Sequence, residues 1–181
     1  MSLLGFSGWD YESNLELNGQ RLYEFEVAAG NELKNVSVVL AWNLNIADNG
    51  FSQFFFSPQE QLANLTLELL DSSGTVIDSS VSDVDNVEHV FQQTLAAGTY
   101  QLRVSNANGF SSDYGLAWRG DLVAATLLGD SDLNGIVNFL DIPSFISILT
   151  TGTYLEEADC NQDGLVNFLD IPSFIRILNG N

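Results

Sequence analysis

The sequence predicts a mainly β chain: an antiparallel β-sandwich or jelly roll over residues 1–128, followed by a small helical module over residues 129–181. Three observations carry this expectation. Short segments with apolar residues at every second position recur between turn-forming residues, as half-buried strands require. The texture changes at Gly129. Beyond it a stretch of 22 residues occurs twice at an offset of 29, with 14 identities and an unbroken VNFLDIPSFI in each copy.

The strands follow in order. NLEL and LYEFEV flank Asn18-Gly19, a hairpin dipeptide. In NVSVVLAWN, Val36, Val38, Leu40 and Trp42 share one face, as do Leu65, Leu67 and Leu69 in NLTLELL. DSSG then turns the chain into TVIDSS. After an acidic loop through Asp83 and Asp85 comes VEHVFQQTL, and Ala97-Gly98 leads into TYQLRVS with Tyr100, Leu102 and Val104 inward. DYGLAWR, with Tyr114, Leu116 and Trp118 inward, precedes a final LVAATLL. About eight short strands at this spacing suit a sandwich or jelly roll.

The repeated segment has the chemistry of a calcium loop. Calcium takes six to eight oxygen ligands, and a twelve-residue loop supplies them from positions 1, 3, 5, 7, 9 and 12 when a glycine at 6 permits the turn. In DSDLNGIVNFLD these are Asp130, Asp132, Asn134, the carbonyl of Ile136, Asn138 and Asp141, with Gly135 at the turn. In DCNQDGLVNFLD they are Asp159, Asn161, Asp163, the carbonyl of Leu165, Asn167 and Asp170, with Gly164 at the turn. Two calcium ions are therefore expected. Position 12 is Asp where Glu is usual, a shorter reach for bidentate binding. Val137 and Val166 at position 8 are expected to pair the loops across a short strand contact.

A helix follows each loop. Asp141 and Asp170 are expected as N-caps, with Pro143 and Pro172 in the first turn, where the missing N–H costs nothing. Phe145, Ile146 and Leu149, matched by Phe174, Ile175 and Leu178, are expected to form the buried faces. LVAATLLG before the first loop reads as strand, so each unit is half an EF-hand. A 53-residue module buries little core, which makes calcium part of its expected folding energy.

The charge balance narrows the partners. With 24 Asp plus Glu against 5 Lys plus Arg the net charge is −19. The five basic residues are scattered, which argues against nucleic acid and against an anionic membrane surface. No apolar run approaches the ~20 residues of a membrane span. A single cysteine, Cys160, excludes an intrachain disulfide. The first residues lack the basic and apolar regions of a signal peptide, and we read the chain as a piece of a longer protein whose export signal, if it has one, lies upstream.

The tandem loops and exit helices over about Gly129 to Gly180 resemble a dockerin, the duplicated module by which bacterial extracellular enzymes attach to cohesin domains. The resemblance implies calcium-dependent protein binding to a cohesin-like partner. It also implies a secreted bacterial parent, often one that acts on polysaccharide. At loop positions 10 and 11 scaffold-forming dockerins often carry small hydroxyl residues, whereas this chain has Phe139-Leu140 and Phe168-Leu169. These four residues have two readings: a partner-binding apolar patch present twice, or core between the helices. Over about Leu22 to Arg119, VVLAWN, LTLELLDSSGTVIDSS, LAAGTYQLRVS and SSDYGLAW resemble the pre-peptidase C-terminal type of β-sandwich. That implies a non-catalytic accessory domain. An alternative function is a carbohydrate-binding or substrate-targeting sandwich capped by the calcium module.

No catalytic constellation emerges. His89 is the only histidine and lies in a strand-like segment without a nucleophile pattern nearby. Asp10 and Glu12, or Asp83 and Asp85, read as exposed loop carboxylates, with a further calcium as the rarer alternative. Phe51 and Phe54-Phe55-Phe56 read as packing residues or as an exposed aromatic cluster. Cys160, at loop position 2, is expected to point away from the ion.

Overall fold

The computed structural model describes residues 4–48, 58–108 and 110–180. It divides the chain into two compact units, Met1–Ala124 and Ala125–Asn181. The division falls within the expected last strand, LVAATLL.

The first unit is built from two four-stranded antiparallel sheets. One has the order β1 (Ser7–Leu15), β10 (Ser112–Ala124), β3 (Asn31–Trp42), β8 (Val87–Leu95); the other has β2 (Gln20–Val27), β9 (Gly98–Asn108), β6 (Asn64–Asp71), β7 (Val76–Val81). A two-stranded ribbon joins β4 (Asn45–Asp48) to β5 (Pro58–Gln61). Val36, Val38, Leu40 and Trp42 from one sheet and Leu65, Leu67, Leu69, Leu102 and Val104 from the other fill a single apolar core, the arrangement of a β-sandwich. All of these are at most 4% exposed, so the alternation read from the sequence marks the inner faces. Trp42 satisfies its buried indole N–H by donating to the Ala63 carbonyl at 2.8 Å.

Three local expectations are corrected. Asn18-Gly19 does turn the chain, with Asn18 at φ 58° and the Gly19 N–H donating to the Glu16 carbonyl at 2.8 Å. The flanking strands do not form a hairpin, however: β1 pairs with β10 and β2 pairs with β9, so this turn carries the chain from one sheet to the other. Strand β1 also begins earlier than NLEL, at Ser7. The last two expected strands are one: β10 runs from Ser112 to Ala124 through an irregularity at Gly120. There a Cβ would lie 2.8 Å from Leu33 Cγ, so Gly lets the strand press against the core residue Leu33. By contrast, Asp71 and Gly74 close the β6–β7 connection as read, with an Asp71 carboxylate oxygen accepting from the N–H groups of Ser73 and Thr75.

In the second unit, 3₁₀ turns at Phe139–Asp141 and Phe168–Asp170 lead into α1 (Ile142–Thr151) and α2 (Ile171–Leu178). Phe145, Phe174, Ala158 and Cys160 form its small core, with Ile148, Leu149, Leu155, Val166 and Ile177 packed around them. Among the described residues no helix is long and apolar enough to cross a membrane.

Candidate metal centre

Both loops fold alike. Each turns through two left-handed residues: Leu133 (φ 60°) and Gly135 (φ 83°) in the first, Gln162 (φ 57°) and Gly164 (φ 84°) in the second. Glycine at position 6 is the residue this backbone favours. Position 4 is invisible in sequence, because Leu and Gln are not left-handed formers and are held there by the surrounding hydrogen bonds.

Those bonds repeat position by position. Asp130 accepts from the N–H groups of Asn134 (3.0 Å) and Gly135 (2.8 Å), and Asp159 from those of Asp163 (3.1 Å) and Gly164 (2.9 Å). At position 3, Asp132 accepts from the Asn134 N–H at 3.1 Å and Asn161 from the Asp163 N–H at 3.0 Å. At position 5, Asn134 accepts from the N–H of Ile136 and Asp163 from that of Leu165, each at 2.9 Å. At position 12, Asp141 accepts from the N–H groups of Asp132 (3.2 Å) and Asn138 (2.8 Å), and Asp170 from those of Asn161 (3.0 Å) and Asn167 (2.8 Å).

The backbone thus gathers carboxylates that would otherwise repel. Asp130, Asp132 and Asp141 each bring an oxygen within 4.8 Å of the others. Asp130 and Asp159 are 4% exposed, and Asp141 and Asp170 are fully buried. Residues 125–181 hold eight carboxylates and one cationic side chain, the exposed Arg176. Buried carboxylates without a cationic side chain are costly unless a cation joins them. An oxygen-only set of carboxylates and Asn amides fits a hard cation such as calcium. Asp130, Asp132, Asn134, Asn138 and Asp141 would hold it in one loop, and Asp159, Asn161, Asp163, Asn167 and Asp170 in the other.

Three sequence expectations about this unit are corrected. Asp141 and Asp170 do stand at the N-cap positions of α1 and α2, but their backbones are already helical (φ −74° and −77°) and their side chains make no capping hydrogen bond to those helices. The extended residues Asn138 and Asn167 cap instead. Their side-chain oxygens accept from the Leu140 and Leu169 N–H groups, and the aspartates return the bond in a capping box. Val137 and Val166 belong to no strand; Val166 packs on the helical core and Val137 lies against Gly129. The buried helix face is Phe145, Ile148 and Leu149, whereas Ile146 and Ile175 are about half exposed (52% and 51%). Residues 145, 148 and 149 share a face at helical spacing, and 146 lies a hundred degrees off residue 145.

Phe139 (67%), Leu140 (72%), Phe168 (73%) and Leu169 (69%) stand in solvent, so they are not core. The core role falls to Phe145 and Phe174. Cys160 turns away from the carboxylates into that core, and burial, reinforced by the Asp170 and Asp159 charges, pushes its thiol up to about 11. Tyr154 adds an asymmetry: its hydroxyl donates to Asp159 at 3.3 Å, while the equivalent position before the first loop is Ala125.

Elsewhere, the exposed His89 ring shares a hydrogen bond with Ser37 at 2.9 Å. Glu12 pairs with Arg21 at 3.0 Å, and Asp85 accepts from Ser82 at 2.9 Å. Phe51 and Phe54 to Phe56 lie outside the described residues.

No family model and no curated protein matches the chain. Among solved structures it is similar to the pre-peptidase C-terminal domain of a collagenase from Bacillus anthracis, at 16% identity and a TM-score of 0.44, covering 64% of this chain and 91% of that one. A protein of Sulfurospirillum deleyianum is similar at 7% identity and a TM-score of 0.32 (63% and 98% covered), and the mitogen of Yersinia pseudotuberculosis at 14% and 0.25 (57% and 86%).

Proposed function

We propose that this chain is a non-catalytic region of a secreted bacterial protein. In this reading a β-sandwich accompanies a dockerin-like module that takes two calcium ions and then binds a cohesin-like protein. The single observation that supports it most is the duplicated loop network: the first loop converges Asp130, Asp132 and Asp141, the second repeats its hydrogen bonds position by position, and each leads into an exposed apolar pair. Calcium neutralises the clustered carboxylates and so holds the exit helix, and with it the apolar pair, in a fixed place. Phe139-Leu140 and Phe168-Leu169 are the contact residues of this reading, present twice because the module is duplicated.

The test is capture of a panel of bacterial cohesin domains on the immobilised full chain. Retention is expected in calcium, with loss in excess chelator and in the variant Phe139→Ser, Leu140→Ser, Phe168→Ser, Leu169→Ser. Absence of retention by every domain, or retention indifferent to chelator or to the four substitutions, overturns the reading.

A further inference from the structure

The outer face of the sheet β1-β10-β3-β8 is shaped as a trough. Strand register places Trp9 beside Ala117, Val39 and His89 in one row, and Tyr11 beside Gly115, Ala41 and Val87 in the next. In these two rows the edge strands carry Trp9 (78% exposed), Tyr11 (58%) and Val87 (47%). Between them stand Ala117 and Val39 in one row and Gly115 and Ala41 in the next, and a Cβ added to Gly115 would meet no atom within 4 Å. Edge strands three spacings apart stand roughly 14 Å from each other, so the floor between the rails admits one extended chain.

Two depressions lie at one end of this floor. The first, about 230 Å³, is bounded by Tyr11, Gly115, Ala41, Asn43, Asn86 and Asp113. The second, about 220 Å³, shares Asn43 and Asp113 and continues along Asn45 and Ser111. Their walls are amide, hydroxyl and carboxylate groups beside an aromatic ring. That ring is held in place, because the Tyr11 hydroxyl donates to Asp113 at 2.6 Å while the Asn14 N–H holds the other oxygen at 2.8 Å.

Charge selects the occupant. In a chain with 24 carboxylates, the two rows across the trough contain none, and His89 is their only titratable side chain apart from the Tyr11 phenol. Asp113 lies at the end, where an acidic ligand would meet repulsion. We infer that this trough binds an extended, uncharged polysaccharide, with a sugar ring against Tyr11 over Gly115 and the chain continuing past Trp9. Aromatic faces cover the apolar side of a sugar ring, while Asn43, Asn86 and Asp113 exchange hydrogen bonds with its hydroxyls. Adjoining depressions that share two residues suit consecutive sugar units.

This site is separate from the calcium-dependent reading above, and its test keeps the two apart. The full chain is run in native gels containing soluble xylan, mannan, hydroxyethyl cellulose or starch, with and without chelator. Retardation is expected in at least one neutral glycan, unchanged by chelator and weakened at least tenfold in Trp9→Ala and Tyr11→Ala. Gly115→Leu, which fills open space without touching the core, is expected to block binding while circular dichroism stays that of the parent. Migration unaffected by all four glycans, or retardation that survives all three substitutions, overturns the inference. So does sedimentation showing that a second copy of the chain occupies the face.

Discussion

The rings of Phe145 and Phe174 lie face to face, centroids 3.9 Å apart and 14° from parallel, and among the described residues of the second unit they are the only large side chains that are buried. One comes from each repeat, so this contact lies at the centre of the core that the duplicated halves share. Removing either ring leaves a cavity costing about 3–5 kcal/mol, in a unit too small to spare it. Phe145→Ala is expected to abolish the helical signal of this unit at 25 °C in saturating calcium. Two-dimensional amide NMR checks it: resonances from residues 130–180 collapse while those of the sandwich strands keep their positions. A dispersed spectrum for both units contradicts the joint role given to this pair.

If calcium fills the two proposed sites, the same small core makes the unit dependent on it. Each occupied site adds about 2.7 kcal/mol when free calcium is a hundred times its dissociation constant. With excess chelator, four buried carboxylates remain uncompensated, and the α1 and α2 signals are expected to disappear from far-ultraviolet circular dichroism. The strand signal stays. Identical spectra with calcium and with chelator would falsify the coupling.

Much of this was legible in the sequence where period and chemistry coincide. Leu65, Leu67 and Leu69 alternate because one sheet face is buried, and the polar loop residues recur because each accepts a backbone N–H that shapes the turn. Pairing was not legible. Asn18-Gly19 has the grammar of a hairpin, yet whether its flanking strands pair with each other or with β10 and β9 depends on segments about eighty to a hundred residues away. The helix face was misjudged by one residue, because Phe-Ile in VNFLDIPSFI offers two adjacent apolar side chains and only packing decides which turns inward. Trp9 and Tyr11 went unread because the strand was expected to start later, and a solvent-facing aromatic is notable only once its neighbours across the sheet are known to be small.

Alkaline pH is expected to unfold the sandwich through its tyrosines. The hydroxyls of Tyr23 and Tyr114 share a hydrogen bond of 2.8 Å at the core margin. Burial pushes Tyr114 up to about 12, and burial together with Tyr114 drives Tyr23 higher still. Below about pH 10 the phenols are protonated in both folded and unfolded chains, so stability is complete; above it only the unfolded chain ionises freely, and stability falls as pH rises through 12. Absorbance at 295 nm should show these two phenolates appearing together with loss of strand signal. Gradual ionisation in a chain that stays folded would count against it.

The position-12 aspartates offer the cleanest separation of the two loops. Each is fully buried and accepts two backbone N–H groups, one from position 3 and one from position 9, so it ties the two ends of its loop together. Asp141→Asn keeps the volume but removes the charge, and its amide can turn only one oxygen toward those donors and the ion. Calcium affinity at that loop is expected to fall at least tenfold, while the second loop, with its own Asp159, Asp163 and Asp170, retains its site. Isothermal titration of Asp141→Asn should therefore fall from two calcium ions per chain to one in the accessible range, and Asp170→Asn should do the same. Two ions bound with unchanged affinity by either variant would remove these aspartates from the ligand set.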